Sequence, residues 1–206
     1  MRAVLWVHDI SRMKTEKEIK IIESNINIYQ RDGLFKKGEY SNLIDFYVKT
    51  ARKTLQTADI LLQISDNKEL KKKLGLLDDF ETYLWVITTS YYSMFYIINA
   101  LFSKYGIKIG DKVAHKVASD VFYFYFIKNN KIAKELFEIY EEAKGQAMNL
   151  INYSEQAEKL FQDLEYERDK RHKFQYDMTE NIKKSYAQTS LKRAKDFINE
   201  IELLIK

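Results

Sequence analysis

The chain has no cysteine and no proline, only six glycines and only three histidines in 206 residues. Without cysteine there can be no disulfide framework, no zinc–thiolate centre and no thiol nucleophile, and the composition suits a reducing interior. Average usage near ~5% would give roughly ten prolines in a chain of this length. A sequence this poor in breakers can run long helices and has few places for sharp turns. The glycines cannot be arranged into a Walker loop or a GxGxxG turn, and no GxSxG elbow is present. The three histidines, His8, His115 and His172, lie far apart and show no metal-ligand spacing, so the sequence calls for no metal and no cofactor.

What is present describes a folded helical protein. Apolar residues make up 46% of the chain and charged residues 31%, with a formal net charge of +4. That balance leans mildly towards anionic partners. The opening "MRAVLWVHDISR" offers an apolar run of only five residues before His8 and Asp9. Such a run is too short for a signal-peptide core, so a cytoplasmic protein is expected. Trp85 to Phe102 is eighteen residues without a charge, long enough to test as a membrane span. Its centre, however, holds Thr88, Thr89, Ser90, Tyr91, Tyr92 and Ser93, which fits a helix buried in a bundle rather than one in lipid.

Apolar periodicity predicts helices in the following order. The first runs near Glu16 to Tyr29 and is followed by a turn at "RDGLFKKGEY". The second carries Ile44, Tyr47, Val48, Ala51, Leu55, Ala58 and Leu62 on one stripe. "DNKELKKKLG" reads as a short solvated helix or loop ended by Gly75. A core helix follows from Asp79 to Tyr105, closed by "YGIKIGDK". Residues 112–128 and 131–150 read as two further helices, and 154–175 as a long one. "YDMTEN" breaks the pattern there, with Thr179 as a candidate N-cap. The last helix shows Ala187, Leu191, Ala194, Ile198, Ile201 and Ile205 on one stripe. No repeat or flexible linker marks a boundary. The expectation is an all-α, up-and-down helical bundle forming one domain overall, with residues 1–40 as an N-terminal helical extension and 43–206 as the bundle.

One stretch carries candidate chemistry. In "ERDKRHKFQYDM", residues 167–178, Arg168, His172 and Tyr176 fall at i, i+4 and i+8 of a helix, with Arg171 and Gln175 beside them. Cleaving RNA without a metal requires a group that moves the proton of the 2′-hydroxyl and fixed positive charge facing the phosphate. Arginine supplies a permanently charged planar fork, and histidine trades a proton near neutrality. Arg168 and Lys173 suit phosphate gripping. His115, in "GDKVAHKVASD", is a further candidate phosphate contact. The same pattern also describes a solvated helix face, and His115 reads first as a polar surface or capping residue. The aromatics of "DVFYFYFIKNN" could stack on bases, but at this density they read first as core packing.

Three stretches together resemble the HEPN-domain family of small archaeal and bacterial proteins. They are "YVKTARKTLQTADILLQIS", "LWVITTSYYSMFYIINALFSKYGIKIGDKVAHKV", and "RHKFQYDM" with "SLKRAKDFINEIELLIK", spanning roughly residues 43–206. The resemblance implies a dimerising up-and-down bundle. In the family's nucleases it also implies a metal-independent endoribonuclease site at the dimer interface, built from an arginine and a histidine with four to six residues between them. Such proteins are often toxins or defence effectors encoded beside a minimal nucleotidyltransferase antidote. Here the arginine is Arg171, and the position five residues on is Tyr176, giving R-x4-Y with His172 adjacent to the arginine. By this resemblance Arg171, Tyr176 and His172 are the catalytic candidates. A tyrosine with its reference pKa near ~10 is a poor acid or base at neutrality. The departure leaves two functional readings open beside that of a plain structural bundle. One is an RNA-binding nuclease, and the other is a non-catalytic module that holds a nucleotidyltransferase, a nucleotide or RNA.

Overall fold

The structure, a computed structural model, describes residues 15–162 and 180–206, with side chains described over 15–151 and 183–206. Seven α-helices dominate it: α1 (Glu16–Arg31), α2 (Ile44–Asp66), α3 (Lys68–Lys73), α4 (Tyr83–Lys104), α5 (Ala114–Phe122), α6 (Lys134–Gln162) and α7 (Glu180–Ile205). Two three-residue strands, β1 (Phe35–Lys37) and β2 (Ile107–Ile109), form a small sheet. The fold is all-α and a helical bundle.

The chain divides into two compact units, each built from two stretches: Met1–Lys36 with Ile109–Glu138, and Lys37–Lys108 with Ile139–Lys206. Residues 109–138 cluster with the N-terminal stretch.

In the first unit α1 packs against α5. Thr15 caps α1. Its backbone N–H donates to Glu18 at 2.6 Å while its hydroxyl accepts from the Glu18 N–H, a reciprocal capping box that satisfies two otherwise orphaned donors. Ile22, Ile26 and Tyr29 form the buried face of α1, and Val117, Val121 and Phe122 that of α5. Phe137 completes this core, with ring centroids 6.0 Å from Phe122 and 5.3 Å from Tyr123.

In the second unit α4 packs on α2 and on α7. Ala58, Tyr83, Val86, Ile87, Ala187 and Leu191 make a continuous buried cluster, edged by Leu55, Leu62 and Leu150. The alanines let the helices approach, and the branched side chains fill the space between them. The helix directions follow from the side-chain pairs. Ser65 of α2 meets Thr82 just before α4. Arg52 of α2 pairs with Glu202 near the end of α7 at 2.7 Å. Glu142 of α6 pairs with Arg193 of α7 at 2.6 Å. The arrangement is therefore up and down through α2, α4, α6 and α7.

α4 is the core helix that the sequence suggests. Fifteen of its residues are buried, from Tyr83 to Ser103. Among the described residues no helix is long and apolar enough to cross a membrane. α4 begins at Tyr83 rather than Asp79, because residues 74–82 are tied down as a loop. The buried Lys71 ammonium donates to the Asp78 carbonyl at 3.0 Å, the Thr82 N–H donates to the Ser65 hydroxyl at 2.8 Å, and the Glu81 carboxylate caps the Tyr83 N–H at 2.9 Å. Gly106, just past α4, holds φ +69, and a Cβ there would lie 2.6 Å from the Gly38 carbonyl oxygen. Only glycine fits that approach.

Other boundaries move for identifiable reasons. The helix expected over 112–128 begins at Ala114, after Val113 in a left-handed conformation, and turns into a π-helix over Tyr123–Ile127. The helix expected to stop near residue 150 continues as α6 to Gln162. The polar run Asn152-Tyr153-Ser154 suggests a break, yet it holds neither glycine nor proline, and the backbone carries through it. The expected break at "YDMTEN" and the Thr179 cap lie outside the described residues.

Candidate nucleic-acid site

Of the six candidate residues the structure describes one. Arg168, Arg171, His172, Lys173 and Tyr176 lie outside the described residues. His115 is half-buried in the first turn of α5, in the first unit. That turn has no side-chain cap, since its N-cap residue is Val113.

What the structure does describe is the helices that flank the R-x4-Y stretch in the sequence. α6 reaches Gln162 and α7 resumes at Glu180, and the two run antiparallel within the second unit. The Ser190 hydroxyl of α7 donates to the Gln146 side chain of α6 at 3.4 Å. The start of α7 is fastened to the junction of α2 and α4. Lys183 pairs with Glu81 at 3.2 Å and Lys184 with Asp66 at 3.0 Å. Asp66 also accepts from the Tyr83 phenol at 2.8 Å. Two carboxylates that would repel a phosphate are thus each matched by a lysine. Sequence reading missed this frame. The lysines are visible in "NIKKSY", but their partners lie more than a hundred residues earlier, and no local spacing encodes that.

Deeper in the same unit, Tyr91, Tyr140 and Phe197 form an aromatic column. The Tyr91 and Tyr140 hydroxyls are 3.4 Å apart and their ring centroids 5.7 Å apart. Tyr140 stacks on Phe197 at 6.1 Å. Burial, above all, pushes both phenols up from their ordinary value, so neither exchanges a proton near neutrality. In the first unit, Asp120 is buried and accepts from the Tyr29 phenol at 2.9 Å and the Asn25 amide at 3.2 Å. Burial first, then the Asp120 carboxylate, raise the Tyr29 phenol. These are structural networks in which each polar group has its partner.

A depression on α1 is lined by Thr15, Glu16, Lys17, Lys20, Ile21 and Ser24, and another at the α2–α3 junction by Gln63, Asp66, Asn67, Lys68 and Glu69. Neither lining includes a histidine or an arginine. Among the described residues no group of three or more His, Asp or Glu side chains is placed to hold a metal ion. Compared with protein-family models, curated proteins and solved structures, the chain matches none of them.

Proposed function

We propose that the chain is a dimeric, HEPN-like RNA-binding protein of the cytoplasm that acts as a metal-independent endoribonuclease of toxin–antitoxin or defence type. In this reading Arg171 grips the scissile phosphate, assisted by Arg168 and Lys173, and His115 is a phosphate contact at a second site. His172 and Tyr176 handle the proton of the attacking 2′-hydroxyl and that of the leaving oxygen. Fixed guanidinium charge stabilises the negative charge that builds on the phosphate. Tyr176 supplies a hydrogen bond rather than a free base, because the reference pKa of a tyrosine is near ~10. A minimal nucleotidyltransferase is the expected antidote.

What supports the reading is that "RHKFQY" lies in the sequence between α6 and α7, the last two members of an up-and-down arrangement with α2 and α4. The test is RNA binding measured against salt. Phosphate gripping predicts that log K falls with log salt at about −0.7 per phosphate contact on a single strand. Arg171→Ala should weaken binding and flatten that slope by roughly one contact. A slope near zero in the parent would overturn the proposal.

A second reading is favoured by Tyr176 standing where the family's nucleases carry histidine. There the bundle is a non-catalytic module that holds a nucleotidyltransferase, a nucleotide or RNA. It predicts salt-sensitive binding without cleavage, and stable co-purification with the partner.

A further inference from the structure

Between Tyr83 and Ser103, Trp85 is the one residue of α4 that stands exposed, at 64%. Tryptophan is highly buried on average, and its neighbours here are: Val86 and Ile87 share a buried cluster with Ala187 and Leu191 of α7. The Trp85 carbonyl accepts from the Thr89 hydroxyl at 2.6 Å, but among the described residues the indole makes no hydrogen bond and no ring contact. The ring has a definite place. It lies in the first turn of α4, just after Glu81 and Thr82, and Glu81 pairs with Lys183 of α7 at 3.2 Å. Glu180, the first residue of α7, follows Tyr176 by four positions in the sequence, and four residues of chain span at most about 14 Å. We infer that Trp85 is a base-stacking residue of the proposed RNA site, its indole taking an unpaired base of the strand that Arg171 grips. The inference rests on the RNA-binding part of the proposed function and adds the class of substrate, single-stranded RNA.

Chemistry selects the ligand. A nucleobase offers a flat π-face to an aromatic ring, and such stacking is tolerant of sequence. In a duplex the faces of each base are taken by its neighbours, so the strand must be one whose bases can be splayed out. Glu81 and Asp66, which would repel its phosphates, are each matched by a lysine of α7. A protein partner asks for a broad face, about 800 Å² on each side. On α4 the indole has no such surroundings: Leu84 and Thr89 beside it are half-buried, and the rest as far as Ser103 are buried or half-buried. A single open ring suits a single base.

Fluorescence of the intact chain tests it. Trp6 is the only other tryptophan, so Trp6→Phe leaves Trp85 as the sole indole emitter. The probe is a short oligouridine with 2′-methoxy groups, which lacks the attacking hydroxyl and cannot be cut. Its addition in excess chelator is expected to quench the emission. Trp85→Ala should weaken binding about fivefold or more, and Trp85→Phe, which keeps a ring, should lose less. The fall of log K with log salt should stay as in the parent, since a lost stack removes no phosphate contact. Circular dichroism of each variant checks that the helices remain. Binding without quenching, with Trp85→Ala as tight as the parent, overturns this assignment and leaves RNA binding standing. Unchanged RNA affinity in Trp85→Ala, with weaker association of chains in sedimentation, makes the ring a protein contact and overturns it equally. A parent that shows no salt-sensitive binding overturns both.

Discussion

The hydroxyls of Tyr91 on α4 and Tyr140 on α6 sit 3.4 Å apart in the core of the second unit, with the Tyr140 ring stacked on Phe197 of α7. Three helices meet in that column. Tyr140→Phe keeps the ring and removes one hydroxyl from the pair, which should cost about 0.5–1.5 kcal/mol of stability. Tyr140→Ala removes the ring as well and should cost about 3–5 kcal/mol. Urea denaturation of both variants checks the order, and equal losses would mean that the ring is not what joins the helices.

Asp120 and Tyr29 tie α5 to α1 inside the first unit. Asp120→Ala leaves the Tyr29 phenol buried without its acceptor, at a cost of about 1–3 kcal/mol. Tyr29→Phe in the same background should restore part of that loss, because the orphaned group is gone. A double variant less stable than Asp120→Ala alone would contradict the pairing.

Gly106 and Gly75 both hold positive φ, at +69 and +68, but only Gly106 has a neighbour, the Gly38 carbonyl, 2.6 Å from where a Cβ would stand. Gly75→Ala should cost about 1–2 kcal/mol from the backbone alone. Gly106→Ala adds a steric clash and should cost clearly more. Thermal melts of the two variants give the difference directly.

Two carboxylates link the second unit to pH. The hydrogen bond from Lys195 holds Asp59 below the usual range, and that from Arg52 does the same for Glu202. A lowered folded-state pKa means that the stabilisation is fully present above the ordinary carboxylate range near ~4 and is lost as pH falls through the folded value. Lys195 and Arg52 are well exposed, so each pair contributes less than about 1 kcal/mol. The Arg52→Ala, Lys195→Ala double variant should therefore lose less stability than the parent between about pH 7 and about pH 3. Parallel curves for the two would refute the assignment.

The fold was legible where periodicity was strong. The stripes of α2 and α7 and the uncharged length of α4 each leave a pattern that a single helix face explains. β1 and β2 were not legible, since three residues cannot show alternation. Nor was the continuity of α6 past residue 150, where a polar run in the sequence imitates a break. Long-range partners were invisible for a simple reason. Asp120 finds Tyr29 across 91 positions and Lys183 finds Glu81 across 102, and spacing in the chain carries no trace of either. Of the candidate site, the sequence supplies residue types and order. The structure adds the helices on either side and the ion pairs that anchor them.

The most direct test of the central claim is incubation of RNA with the protein in excess chelator, comparing the parent with Arg171→Ala and Tyr176→Phe. The account predicts cleavage by the parent, loss of it in Arg171→Ala, and a reduced rate in Tyr176→Phe. No cleavage by a folded, dimeric parent, or cleavage that Arg171→Ala leaves intact, would contradict it.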